Sequence, residues 1–166
     1  EELYRESLSC CHCLSTSRYR SIARGILLAI LELTGIAAKS LAELDPLLTN
    51  VSLKIYDTQT PIYFETCAYP IPDLLAKCQW IDLQTSLYRP EKPLGIKLGA
   101  NLTNQNLEAL TYADNRFDMV ITSDVMEHVR LDDRAHQEIS RVLKPGGIYL
   151  FTVPHFREWL QTFYHV

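Results

Sequence analysis

Apolar residues along the chain alternate between spacings typical of amphipathic helices and short apolar runs typical of buried strands. Helical patterns cover 21–33, where Gly35 follows as a stop signal, 39–44, part of 61–77, and 132–143. Strand patterns cover 51–56, 79–83, 117–122 and 148–153, with a brief third strand inside the Pro-, Gly- and Asn-rich stretch 89–106. This order of strands and helices predicts an α/β domain with a mostly parallel sheet.

The stretch 117–154 carries the clearest pattern. An apolar strand is followed by Ser123 and Asp124, whose side-chain oxygens can cap a helix, and the helix at 132–143 ends at Lys144-Pro145-Gly146-Gly147 before the next strand. Strand, helix and strand joined by short loops form a βαβ unit. The predicted core comprises Phe117, Val120, Ile121, Ile139, Val142, Leu143, Tyr149 and Phe151.

Composition and charge are those of an ordinary globular protein. The 166 residues are 47% hydrophobic and 22% charged, with a formal net charge of −4, so neither nucleic acid nor a membrane is an expected partner. An odd number of cysteines, five, is a poor disulfide framework and favours the reducing cytoplasm.

The segments FDMVITSDVMEHV and EISRVLKPGGIYLFTVP, about a quarter of the chain, resemble the fourth and fifth strand region of class I S-adenosylmethionine-dependent methyltransferases. A weaker match extends back to Val51. The resemblance implies a Rossmann-like doubly wound sheet over 46–166, preceded by an N-terminal Cys-containing segment and helices over 1–45. It also implies two further strands after the fifth, so the sequence is expected to be C-terminally truncated or a minimal member.

The resemblance places the cofactor beyond the carboxyl ends of the strands, near Asp57, Thr58 and Gln59 after the first strand. Asp57 stands at the family's acidic position, although a turn residue after a strand is an equal explanation. Gln59 and Pro61 occupy positions where the family has glycines, which let backbone approach the cofactor. The glycine-rich loop is therefore degenerate.

Further cofactor contacts are implied at three more places. Asp82 matches the family's acid that binds the ribose hydroxyls, and Gln84 is the alternative residue for that position. The competing interpretation is that Asp82 is simply solvated on a loop. Asn106 matches the side chain that meets the adenine amine and Leu107 the backbone N–H that meets a ring nitrogen, although an Asn-rich turn needs no ligand. Ser123 is expected beside the cofactor at the end of the fourth strand.

Asp124, Glu127 and His128 would share one face of a helix, at positions i, i+3 and i+4. Their segment resembles one in the quinone-biosynthesis O-methyltransferases, where acids and a His hold a magnesium-type ion. The competing interpretation is a capping box formed by Asp124 and Glu127, with a hydrogen-bonded His128. The favoured assignment has no metal, and His128 is the candidate catalytic base.

Cys10 and Cys13 form a Cys-x-x-Cys pair, which is half of a zinc site. Cys67 and Cys78 lie within the predicted α/β core, and a second chain in a homodimer could supply the missing ligands. A reduced, metal-free terminus is the alternative.

The predicted function is methyl transfer from S-adenosylmethionine to an unidentified small molecule or other acceptor. One alternative is a non-catalytic methyltransferase-like binding module with a degenerate cofactor loop. Another is a site altered to accept a different nucleotide-like ligand. Fold alone does not choose among them.

Overall fold

The computed structural model describes residues 17–59 and 71–153, which form one five-stranded, all-parallel sheet with helices on both faces. Its strands are β1 (Leu53–Gln59), β2 (Ile81–Leu87), β3 (Leu102–Asn104), β4 (Phe117–Ser123) and β5 (Leu143–Thr152), in the spatial order β3-β2-β1-β4-β5. The order reverses between β1 and β4, so the predicted doubly wound, Rossmann-like fold is confirmed.

Four α-helices and one 3₁₀ turn accompany the sheet in the described residues. The helices are α1 (Ser17–Thr34), α2 (Leu41–Leu44), α3 (Ile71–Leu75) and α4 (Asp132–Val142), and the 3₁₀ turn is Met126–His128. Gly35, at φ +73°, ends α1 as predicted, and its N–H donates to the Leu31 carbonyl. Within these residues, no helix is long and apolar enough to cross a membrane.

Two hydrophobic clusters cover the two faces of the sheet. One joins α1, α2 and α3 to apolar side chains of β1 and β4, including Ile55 and Ile121. The other joins α4 to Tyr56, Phe117 and Val120 on the opposite face. Because β4 has apolar neighbours on both sides, it reads as an apolar run rather than an alternating pattern.

Glycines allow two close approaches in this packing. A Cβ at Gly25 would lie 2.9 Å from Leu150 Cδ1, so glycine lets α1 approach β5 without a shift of the Leu150 side chain. A Cβ at Gly147 would lie 2.9 Å from the Lys144 carbonyl oxygen and 3.2 Å from that of Asp118. Glycine at position 147 thus accommodates the register shift between β4 and β5.

Three predictions about the C-terminal part need correction. Phe151 is 49% exposed and Leu143 and Tyr149 are only partly buried, whereas the other predicted core residues are buried. Asp124 and Glu127 form no capping box, because β4 continues through Ser123 and the 3₁₀ turn has Val125 as N-cap without a side-chain hydrogen bond. The segment 144–147 belongs to β5, which starts directly after α4.

Candidate active site

The carboxyl ends of β1, β2 and β4 meet at one edge of the sheet. Register pairs Asp57 of β1 with Thr85 of β2 and with Ile121 of β4. Asp57 and Thr58 are buried there, and Gln59 ends the strand. Pro61 and the rest of the glycine-poor loop lie outside the described residues. The reversal of strand order between β1 and β4 makes this edge the expected ligand position for such a sheet.

A buried chain of hydroxyl groups joins β1 to β2 beneath this edge. The Tyr56 and Ser86 hydroxyls are 2.7 Å apart, and Ser86 Oγ donates to Thr58 Oγ1 over 2.9 Å. Burial, followed by the nearby Tyr112, raises the pKa of Tyr56 well above its ordinary value. The Tyr56 phenol is therefore neutral at physiological pH and fixes Thr58 beside the edge.

The ribose-binding acid predicted on β2 is not at this edge. Asp82 pairs with Lys54 near the start of β1 and is exposed to solvent, and Gln84 pairs with Tyr56 inside the strand. β2 runs on to Leu87, four residues beyond its predicted end. The residues that stand at its carboxyl end are therefore Leu87 and Tyr88, and the expectation for Asp82 is wrong in position.

A cleft of about 540 Å³ opens at the carboxyl edge. It brings together four of the predicted site residues: Thr58, Asn106, Leu107 and His128. The rest of its lining comprises Tyr88, Pro90, Gln105, Glu108, Val125, Val129 and Arg130. Asp57 and Ser123 are buried close to the same edge but do not line the cleft.

The loop between β3 and β4 supplies one wall of the cleft and is held by side chains. Asn106 Oδ1 accepts from the Glu108 N–H at 3.0 Å, which closes an Asx turn. Gln105 bonds Thr111 twice, through the Thr111 N–H and Oγ1. Glu108 Oε1 in turn accepts from the N–H groups of Arg130 and Leu131, both at 3.1 Å. The turn predicted around Asn106 thus exists and also faces the cleft.

A second layer anchors the same loop to α4. Glu138 Oε2 accepts from the Leu110 N–H at 2.8 Å, while Arg141 donates to the carbonyls of Leu110 and Tyr112 and to Asp114. Hydrogen bonding from Arg141 holds the pKa of Glu138 below its ordinary range. The ion pair keeps the loop at a fixed position against the helix.

The three-residue face proposed for a cation does not form on a regular helix. Asp124 has φ +54°, is 1% exposed, and its Oδ1 accepts from Thr152 Oγ1 at 3.3 Å. Glu127 and His128 are exposed in the 3₁₀ turn. Residues 17–59 and 71–153 contain no group of three or more His, Cys, Asp or Glu side chains able to hold a metal ion. Cys10 and Cys13 lie outside these ranges.

The part of the chain that forms most of this site resembles known proteins. Residues 75–151 match a family model described as a methyltransferase domain. This match and the doubly wound sheet support a class I S-adenosylmethionine-dependent methyltransferase. The matched residues include β2, the cleft wall at 105–108 and β4, so the family assignment made from the sequence is confirmed.

Curated relatives share short, well-matched segments with this domain. The ubiquinone/menaquinone biosynthesis C-methyltransferase of Hydrogenovibrio crunogenus is 51% identical over 53 residues, which are 32% of this chain and 21% of that protein. The glycine/sarcosine/dimethylglycine N-methyltransferase of Actinopolyspora halophila is 40% identical over 60 residues, 36% of this chain and 11% of that protein. The chain spans about a fifth of the first of these relatives.

Among solved structures, a SAM-dependent methyltransferase from Aquifex aeolicus aligns with a TM-score of 0.42 at 16% identity, covering 75% of this chain and 67% of that one.

Proposed function

We propose that this methyltransferase domain binds S-adenosylmethionine in the cleft and transfers its methyl group to an acceptor. The observation that carries the proposal is the position of the cleft. It lies at the carboxyl edge of the sheet, where the strand order reverses between β1 and β4, and Asn106 and Leu107 form part of its wall. These are the two residues for which the sequence implied adenine contacts. The family match over 75–151 supports the same ligand class.

The residues present fit an adenine nucleoside at this position. A volume of about 540 Å³ lies within the roughly 300–1,000 Å³ typical of small-molecule sites. The lining combines apolar Leu107, Val125 and Val129 with the carboxamides of Gln105 and Asn106. A carboxamide oxygen accepts two hydrogen bonds, so Asn106 Oδ1 can bond an exocyclic amine as well as the Glu108 N–H.

The ribose end departs from the pattern implied by the sequence. Asp82 lies at the far end of β2, and the residues with a hydroxyl that line the cleft are Thr58 and Tyr88. Neutral hydroxyls form weaker hydrogen bonds to a diol than a carboxylate does. We therefore expect modest cofactor affinity, with Tyr88 as the main contributor from β2.

When bound, S-adenosylmethionine supplies an electrophilic methyl group on a sulfonium. The domain's own contribution is to orient the partners and to exclude water from the cleft. His128 lies on the cleft rim in the 3₁₀ turn and is the proposed group that accepts a proton from an acceptor. One of the relatives named above is a C-methyltransferase of ubiquinone/menaquinone biosynthesis and the other a glycine/sarcosine/dimethylglycine N-methyltransferase, so together they do not identify the acceptor of this chain.

Calorimetric titration with S-adenosylmethionine and S-adenosylhomocysteine tests the proposal. Saturable binding of both, weakened in Asn106→Ala, is the expected result. Well-folded protein that binds neither would favour the non-catalytic module. Once an acceptor is found, His128→Ala should lower kcat without weakening S-adenosylhomocysteine binding, because His128 serves the acceptor.

A further inference from the structure

Asn104, at the end of β3, is a fully buried carboxamide with four hydrogen bonds to one loop. Its Nδ2 donates to the carbonyl oxygens of Arg89, Lys92 and Pro93 at 3.0, 2.8 and 3.1 Å. Its Oδ1 accepts from the Arg89 N–H at 2.7 Å. With an exposure of 0%, the side chain has no access to water. Its two N–H groups serve three carbonyls, so one N–H is shared between two of them, and its oxygen also has a donor.

The backbone of Asn104 holds the far part of the same loop. The Gly95 N–H donates to the Asn104 carbonyl at 2.7 Å, and the Asn104 N–H donates to the Ile96 carbonyl at 2.9 Å. Gly95 has φ +80°, and a Cβ there would lie 3.0 Å from Thr111 Oγ1. The segment 88–96, called the 88–96 loop below, is therefore tied at both ends to one residue.

Apolar packing contributes less to the position of this loop. Tyr88, Leu94 and Ile96 are 41%, 37% and 38% exposed, although they are its large apolar side chains. Tyr88 and Pro90 nevertheless line the cleft. Polar contacts with Asn104 thus determine where this wall of the cleft stands.

We propose that Asn104 is a positioning residue that holds the 88–96 loop as one wall of the cofactor cleft. The contacts between Asn104 and the loop are observed in the structure, whereas the effect of Asn104 on cofactor binding rests on the proposed function. Only a carboxamide fits this role at this size. Aspartate would keep the acceptor for Arg89 but would place a carboxylate against three carbonyl oxygens, which is a repulsive arrangement without donors.

Asn104→Asp tests the proposal, with Asn101→Asp as the matched control because it adds the same charge at an exposed position one residue before β3. Amide exchange by NMR should show that the N–H groups of Arg89 and Gly95 lose protection by about tenfold or more in Asn104→Asp only. Affinity for S-adenosylhomocysteine should fall by about tenfold or more in the same variant, since a displaced wall costs at least that much.

Two results overturn the proposal: protection at Arg89 and Gly95 that survives in Asn104→Asp, or lost protection with unchanged affinity. If the wild-type protein binds neither S-adenosylmethionine nor S-adenosylhomocysteine, the proposed function fails, and the exchange result alone decides whether Asn104 holds the loop.

If Asn104→Asp does not fold, Gly95→Ala replaces it, because a side chain at that positive φ strains the same loop. Gly99→Ala is its control, since a Cβ there meets only Leu102 Cβ at 3.4 Å. The same pattern of lost protection and weaker binding is expected for Gly95→Ala. Lost protection at Gly95 with unchanged affinity for S-adenosylhomocysteine in that variant overturns the proposal.

Discussion

The carboxylate of Glu108 accepts a hydrogen bond from the backbone N–H of Leu131 at 3.1 Å, and the same oxygen accepts from Arg130. Glu108 belongs to the β3–β4 loop, whereas Leu131 precedes α4. The bond therefore joins the loop that carries Asn106 to the loop that follows His128, and it fixes the width of the cleft between them.

Removing this carboxylate should loosen both loops. Glu108→Ala should lower the free energy of unfolding by about 1 kcal/mol. In that variant the backbone N–H groups of Arg130 and Leu131 have water as their acceptor in place of a carboxylate. Glu108→Gln keeps an acceptor oxygen and should lose less. Urea unfolding of both variants measures the difference, and an alanine variant as stable as wild type would contradict this role.

Cofactor affinity should depend on the carboxyl end of β2 and not on its amino end. Tyr88→Ala should weaken S-adenosylhomocysteine binding by about 1–2 kcal/mol through lost contact and a lost hydroxyl hydrogen bond. Asp82→Ala should bind as wild type does, because Asp82 pairs with Lys54 far from the cleft. Titration of the two variants side by side provides the comparison. Weakened binding in Asp82→Ala alone would show that the ribose lies near Asp82 and not near Tyr88.

Substitutions at Ile139 and Phe151 should differ in their effect on stability, because the two residues differ in burial although the sequence predicted both in the core. Ile139→Asp should destabilise the domain by several kcal/mol, because Ile139 is 1% exposed and an unpaired charge would be buried there. Phe151→Asp should cost much less, since Phe151 is 49% exposed even though its ring stacks on Tyr149 and meets His136 edge-on. Thermal unfolding of the pair is the measurement. Equal losses would refute the packing of α4 on the sheet.

Acid should reduce the contribution of Glu138 to stability. Because Arg141 lowers the pKa of folded Glu138, the ionised form stabilises the fold at neutral pH. This contribution is complete above the ordinary pKa, roughly 4.3, and is lost as the pH falls through the lower, folded-state value. Glu138→Gln should therefore be less stable than wild type at pH 7 and approach it at low pH. A deficit that stays constant with pH would contradict the ion pair.

Most of the fold was predictable because its signals are local. Gly35 ends α1 through its positive φ, and the apolar run at β4 reflects burial on both sides of the sheet. The exposed face of Phe151 was not predictable, since an apolar run shows potential burial but not which neighbours are present. The length of β2 was underestimated because Gln84, Thr85 and Ser86 are polar, although they pair with β1.

The cleft was only partly predictable. Asn106 and Leu107 were expected at the site because their segment resembles the part of the family that holds the adenine, and both line the cleft. Asp82 was misplaced because strand register decides which residue reaches the carboxyl edge, and the pattern alone does not give register. Asn104 and Glu108 act through contacts across loops, with side-chain partners 11 to 23 residues away along the chain, and Tyr88 lines the cleft from a loop. No spacing rule connects such positions.

Amide hydrogen exchange with and without S-adenosylhomocysteine tests most directly whether the cofactor occupies this cleft. Ligand should slow exchange at 88–89, at 105–108 and in the 3₁₀ turn, because these backbone segments border the cleft. The apolar groove between α1, α2 and α3, lined by Leu27, Leu41 and Leu74, should be unaffected. Protection confined to that groove, or no protection at 105–108 under saturating ligand, would contradict the proposed site.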